Sequence, residues 1–512
     1  MQTLEKVLIL DFGGQSTQYL ARAVREMQVY CEIMPYDISF ERLTAARPSA
    51  LIFSGDSGEM EQNIPAYNSR LYQLQIPILG VGSGMQALAG DLGGKVEFFS
   101  REAADDSFFA FKKEAELFKG LGSGLKNWGD SRLRVKRMPA GFNVIAESSE
   151  PAVVAIAADG ERKIYGLPFN PESVLSAEGR QILHNFLFKI CRFSGEWTVN
   201  NFVTYSIEEI KKKVGPRGRA VCGLSGGIDS AVAALLVHRA VGSALTCIFV
   251  DNGLLRKGEK EQVHNIFAKQ FNLNIITVDA APEFLGLLQG VTEPEKKRKI
   301  IGHQFIDIFA REAEKLGGAD FLVQGTLYSD VVESGTAAAA MIKSHHNVGG
   351  LPAEMPFALL EPLRYLFKDE VRRVAAELGL PEEITWRHPF PGPGLAVRIL
   401  GEVTPEKIAI LQEADDIIYT EIKKAGLYRE IWQVFAVLPG ILSVGVKEGH
   451  RIYAHTVAMR AVTSEDGVTA DWYPFSPDVL RTIADRIVQE IPQVNRFVYD
   501  LTPKPPATIE WE

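Results

Sequence analysis

The sequence predicts an α/β protein in three successive segments, the third of them α+β. Three observations carry that prediction. From residue 6 onward, short apolar runs ending in glycine alternate with helical stretches. A second series of the same kind opens at Arg219. From about His388, helices and apolar strands persist without regular alternation. Buried strands joined by helices form a parallel sheet covered on both faces. Loss of that alternation marks an α+β segment.

In the first segment KVLILDFGG (6–14) reads as a strand and STQYLARAVREMQ (16–28) as the helix after it. SALIFSG (49–55) and IPILGVG (76–82) are further buried strands. RFSGEWTVNNF (192–202) is a linker into a helix around Thr204–Val214. In the second segment AVCGL (220–224) is a strand, followed by SGGIDS and the helix SAVAALLVHRAVG (230–242). LTCIFVD (245–251), LNIITVDA (273–280) and ADFLVQG (319–325) are its next strands. The third segment carries helices at Pro405–Ala425 and Pro477–Glu490, and the strands SVGVKEG, RIYAHTVAMRAV and RFVYDLT. The domain boundaries expected are 1–195, 196–387 and 388–512.

A chain of 512 residues has room for about three domains. Apolar residues are 46% and charged residues 23%, an ordinary soluble mix. A net charge of −9 argues against a dominant nucleic-acid surface. The four cysteines show neither metal spacing nor a disulfide framework, which favours a reducing, cytoplasmic setting. MQTLEKVLILDFGG does not read as a signal peptide, and no run of 18 apolar residues predicts a membrane span.

SGGIDS (225–230) sits where a strand hands over to a helix. Gly226 and Gly227 let the backbone turn tightly and approach a ligand. Successive N–H groups and the positive helix end make an anion cradle. Ser225 and Ser230 add hydroxyl donors, and Asp229 is placed to hold a magnesium ion on a polyphosphate. The plainer alternative is a glycine turn before an N-capped helix. The string is not a Walker loop, which needs G-x-x-x-x-G-K-[ST].

It resembles the pyrophosphate loop of N-type ATP pyrophosphatases, which adenylylate a substrate oxygen. FVDNGLLR (249–256) fits the same picture, with backbone at Val250 meeting the adenine. KRKIIG (297–302), QGTLYSDVVES (324–334), IKSHHNVGGLP (342–352), FKDEVRRVAAELGLP (367–381), RHPFPGPGL (387–395) and KPPATIEWE (504–512) closely resemble glutamine-hydrolysing GMP synthetase. The resemblance covers nearly the whole chain. It implies a flavodoxin-like class I amidotransferase-type domain, an adenine-nucleotide alpha-hydrolase-like (ATP pyrophosphatase) domain and a C-terminal α+β dimerisation domain. It further implies ATP and Mg2+ as cofactors and a homodimer. The reaction implied is adenylylation of O2 of xanthosine 5′-phosphate (XMP), followed by displacement of AMP by ammonia to give GMP. A conjugated carbonyl oxygen is a poor leaving group and adenylate a good one.

Site residues follow from the same resemblance. Ser225, Gly226, Gly227, Asp229 and Ser230 would hold the pyrophosphate and its metal. Asp330 and Glu333 match lid carboxylates near magnesium. Lys343, His345 and His346 lie on the same lid, over the phosphates. Lys368 supplies a further cation. Arg298, Arg496 and Lys504 would bind the XMP phosphate and ribose. Ile509 and Glu510 lie at the base, and Pro391, Gly392 and Gly394 form a loop close to the nucleotide. Ser329 stands where the family usually has proline.

ILGVGSGMQALAG (78–90) raises a different question. Its strand–turn–helix corner is where many α/β enzymes carry a nucleophile, and its elbow is Gly82. LDFGGQ, IFSG, GMQALAG and NPES resemble a class I glutamine amidotransferase, which works with Cys, His and Glu. By that resemblance the cysteine position is Gly82 and the histidine position Asn170, while Glu172 remains with no imidazole to orient. SGDSGEM puts Asp56 where an oxyanion must be stabilised, the wrong charge for that task. Ser83 is no substitute, because Val81 and Met85 stand where a serine elbow needs glycines. Losing the nucleophile alone costs ~10⁶ in kcat. A degenerate domain without glutaminase activity is expected.

Three functional readings remain open at this point. One is a GMP synthetase that uses free or partner-supplied ammonia. Another is a paralogue that activates a purine oxo group for a different nucleophile, such as sulfur from a donor protein. The third is a non-catalytic nucleotide-binding regulator. The complete SGGIDS loop and C-terminal string argue against the third.

Overall fold

Lys6–Asp11 pairs in parallel with Tyr30–Pro35 on one side and Ala50–Ser54 on the other. This is the centre of the first of two compact units, Met1–Phe202 and Val203–Glu512. The computed structural model describes residues 5–14, 16–56, 67–98, 108–112, 114–126, 133–148, 154–171, 177–316, 318–328, 330, 357–447, 449–464, 467 and 469–512.

The parallel ladder of the first unit continues through Ile78–Val81 to Ile164–Leu167. Beyond it the sheet turns antiparallel, through Val154–Ala158, Phe142–Ser148, Phe108–Phe111 and Gly124–Lys126. The sheet is therefore mixed, not parallel throughout. The reason is the short connections: a parallel crossover needs a dozen or more residues, and those between Phe142 and Leu167 are far shorter. The Ala50–Ser54 and Ile78–Val81 strands are fully buried, as expected for strands covered on both faces. Tyr30–Pro35 went unread in the sequence because YCEIMP is interrupted by a charge.

In the second unit five strands are all parallel, in the order Ile275–Asp279, Leu245–Asp251, Ala220–Gly223, Phe321–Val323, Ala358–Leu360. The helix Ile228–Val241 follows Ala220–Gly223 across the SGGIDS turn. A second sheet is built on the long strand His450–Thr463. It pairs antiparallel with Gln433–Val437 and Leu442–Lys447, and in parallel with Val494–Asp500. Pro405–Lys424 and Pro477–Glu490 pack on it as helices, each opened by a hydroxyl cap, Thr404 or Ser476, and a proline.

One core joins the two sheets of this unit. Leu254, Phe284, Ile301 and Ile308 share it with Leu395, Ile418, Val457 and Ile487. All four cysteines are free thiols. Among the described residues, no helix is long and apolar enough to cross a membrane.

Candidate active site

In the first unit the Ile78–Val81 strand passes through Gly82 into the helix Ser83–Asp91. Gly82 has φ +54° and ψ −125°, a conformation L side chains rarely adopt. A Cβ there would lie 2.9 Å from Asn170 Oδ1 and closer still to the Gly55 carbonyl. The backbone must shift before any side chain fits the elbow. The N–H after an elbow nucleophile normally supports the oxyanion. Here the Ser83 N–H donates to Gly55 O at 3.1 Å. Asn170 Nδ2 donates to Asp56 Oδ1 at 3.2 Å. Among the described residues, Ser83 Oγ and Asn170 Oδ1 are buried with no hydrogen-bond partner. The fold thus gathers Gly82, Ser83, Asp56 and Asn170 at one corner. Glu172 lies outside the described residues.

In the second unit the strand Ala220–Gly223 leads into Ser225, then Gly226 at φ +73°, then Gly227 as the helix N-cap. Ser225 Oγ lies 3.0 Å from Ser230 Oγ, and the Gly227 N–H points at Ser225 Oγ at 3.4 Å. Asp229 stands in the first turn of the helix. Lys368 Nζ donates to both of its carboxylate oxygens. Gly325, unread in the sequence, lets the end of Phe321–Val323 come against Asp229: a Cβ there would meet the Asp229 backbone at 2.9 Å. Asp330 Oδ2 accepts the Leu327 N–H at 2.9 Å. Glu333, Lys343, His345 and His346 lie outside the described residues.

Val250, half-buried, is the penultimate residue of the neighbouring strand Leu245–Asp251, and the turn after it contacts the 391–394 loop. The Leu395 N–H donates to Leu254 O at 2.9 Å. Gly394 (φ +63°) is close against Leu254, so a Cβ there would collide with its backbone. The Gly394 N–H donates to Pro391 O at 2.9 Å, and Gly392 between them is exposed.

The C-terminal residues are held by buried cations that sequence reading missed. Arg398, fully buried, donates to both oxygens of Glu510 at 3.1 and 2.9 Å, and Gln433 adds a third bond at 2.8 Å. Lys297, also fully buried, donates to Ala396 O, Ile399 O and the Glu512 carboxylate. Arg298 donates to the Glu512 backbone oxygen. Ile509 is buried beside Phe435. Arg298, Ile509 and Glu510 are thus in one neighbourhood. Arg496 is exposed on its strand, and Lys504 Nζ donates to Gly467 O at 2.7 Å. Among the described residues neither pairs with Glu510.

Three family descriptions match this chain: glutamine amidotransferase class-I over residues 8–190, NAD synthase over 199–303 and GMP synthase C terminal domain over 420–511. A protein of Carboxydothermus hydrogenoformans named as a glutamine-hydrolyzing GMP synthase is 54% identical over 509 residues, covering 99% of both chains. One from Symbiobacterium thermophilum, named alike, is 54% identical over 513 residues and covers both chains completely. The chain belongs to the GMP synthase family. A third relative, from Natranaerobius thermophilus, is 50% identical over 99% of each chain.

The magnesium ion that the family resemblance implies can be tested against the residues present. Mg2+ takes one or two carboxylates and fills its octahedron with waters and phosphate oxygens. Among the described residues no three His, Cys, Asp or Glu side chains cluster as ligands. Asp229, in the first helical turn after the glycine pair, is a hard oxygen donor that would suit such an ion.

Proposed function

We propose that the chain makes GMP from XMP and ATP, with ammonia that its own first unit does not release. The observation that carries the synthetase half is the glycine-hinged cradle at Ser225–Ser230, with Asp229 and Lys368 at its mouth. Phosphate fits there because donors converge on it: the Gly227 N–H, two hydroxyls and the helix end. The XMP O2 attacks the α-phosphorus of ATP and pyrophosphate leaves. Ammonia then attacks C2 and AMP leaves with the former O2. Lys368 places a positive charge beside the departing pyrophosphate. Asp229 and Asp330 would hold the Mg2+ that the resemblance implies, which would supply charge screening at the phosphates.

The observation that carries the loss of glutaminase is the Ser83 N–H bonded to Gly55 O, beside an elbow with no room for Cβ. Nucleophile, base and oxyanion donor are each replaced. The first unit then serves as scaffold or docking surface, and ammonia arrives free or from a donor protein.

A homodimer through the second sheet of the second unit is supported by its exposed apolar face. Val446 is 76% exposed and Tyr453 67%, with Ile441, Leu442 and Val444 beside them. An apolar strand face of this kind marks an association surface.

The test is GMP formation from XMP, ATP and Mg2+ with ammonium, glutamine or sulfide as donor. Ammonium is expected to work and glutamine to fail. Equal rates with glutamine would sink the reading of Gly82 and Asn170. A thiolated product from sulfide would favour the alternative nucleophile.

A further inference from the structure

Arg387 belongs to the segment that leads into the nucleotide loop at 391–394, yet its guanidinium reaches the back of the pyrophosphate loop. Nη1 donates to the Gly226 carbonyl at 2.9 Å, and Nη2 pairs with Glu259. Glu259 is 2% exposed, and its other oxygen accepts the Arg256 N–H at 3.0 Å. A Cβ on Gly226 would lie 2.9 Å from Arg387 Nη1 and 3.3 Å from Glu259 Oε1. Loop, arginine and glutamate are therefore in close mutual contact.

The consequence follows from peptide planarity. In a trans peptide the C=O of one residue and the N–H of the next point in opposite directions. Holding the Gly226 carbonyl on the Arg387 side turns the Gly227 N–H to the opposite face. That face carries Ser225 Oγ, 3.4 Å from the Gly227 nitrogen. A carbonyl turned the other way would present its negative end to a phosphate.

We propose that Arg387, braced by Glu259, is a positioning residue: it keeps the Gly226 carbonyl out of the pyrophosphate loop and the Gly227 N–H in it. Because Arg387 leads into the 391–394 loop, the same contact ties the ATP loop to the nucleotide loop. Arg256 strengthens the tie, with Nη2 donating to Pro389 O at 3.4 Å and its guanidinium over the Phe390 ring. The proposal rests on the reading of residues 225–230 as the loop that holds ATP.

The test uses the full-length chain and measures Mg·ATP binding by calorimetry without XMP. Arg387→Met keeps the reach and removes the charge. About tenfold weaker ATP binding is expected, the effect of one lost charge-assisted hydrogen bond. Arg387→Lys should recover part of it, since an ammonium reaches one acceptor but not both in fork geometry. Glu259→Gln keeps the size of the brace and should weaken binding in the same direction by less. Thermal melting is read beside each variant. Lower melting with unchanged ATP affinity would mean a structural pair and overturn the proposal, as would wild-type affinity in Arg387→Met and Glu259→Gln. If the unmodified chain fails to bind Mg·ATP, the ATP reading itself falls and the proposal with it, a result the variants alone cannot produce.

Discussion

Lys368 Nζ sits 2.7 and 2.6 Å from the two carboxylate oxygens of Asp229. The pair joins the start of Lys368–Glu377 to the first turn of Ile228–Val241. Both side chains are partly exposed, so the pair contributes little to stability. Under the proposed function its importance is chemical, because the amine and a magnesium ion would compete for one carboxylate.

Lys368→Met is therefore expected to act in two directions. AMP formation should fall by about 10²-fold in kcat, as a charge facing the departing pyrophosphate is lost. The Mg2+ concentration for half-maximal rate should fall as well, because Asp229 is released. Magnesium titrations of the wild type and variant check this. An unchanged rate would remove Lys368 from the phosphate site.

Gly82→Cys alone is expected to leave glutamine hydrolysis undetected. Asn170 is no base, and the Ser83 N–H stays with Gly55 O. The substitution should also lower stability, by about 1–3 kcal/mol, because it places Cβ at φ +54° against the Gly55 carbonyl. Glutamate release and the melting transition are the readouts.

His388 is buried against Tyr428, with Nε2 2.9 Å from Tyr428 O. Burial pushes its pKa from 6.5 down to about 4, and Arg256, Lys423 and Arg372 add to the cost of protonation. The folded imidazole stays neutral while the unfolded one gains a proton below 6.5. Its contribution is full above pH 6.5 and falls away as pH drops toward 4. About 2 kcal/mol should be lost by pH 5. Urea melts at pH 7 and pH 5 should show a smaller difference in His388→Gln than in the wild type.

Lys297→Met should destabilise the second unit by about 3 kcal/mol, since the buried Glu512 carboxylate loses its cation. Thermal melting checks the size. Weaker XMP binding should accompany it, because Glu512 also holds Arg298.

Val446→Lys places a charge on the most exposed apolar residue of its face. Sedimentation should show loss of dimer with the fold retained. A wild-type chain that sediments as a monomer would remove the association surface.

The sequence by itself determined the features that depend on local pattern. Alternating strands and helices showed the α/β class, and SGGIDS marked the glycine turn between a strand and a helix that we propose as the phosphate loop. Gly82 and Asn170 carry the expectation that the first unit lacks a thiol and an imidazole where a class I amidotransferase has them. These are legible because hydrophobic period, glycine turns and side-chain chemistry act over a few residues. Only the tertiary structure decided what long-range pairing makes. It reversed part of the first sheet to antiparallel and put the Gly55 carbonyl against the Ser83 N–H. It brought Arg387 behind Gly226, 161 residues away in sequence. It also set Arg398 and Lys297 on the last residues of the chain. A lone arginine or lysine in a sequence has no marked partner. Its role is fixed when folding removes water from it and leaves only a few acceptors within reach.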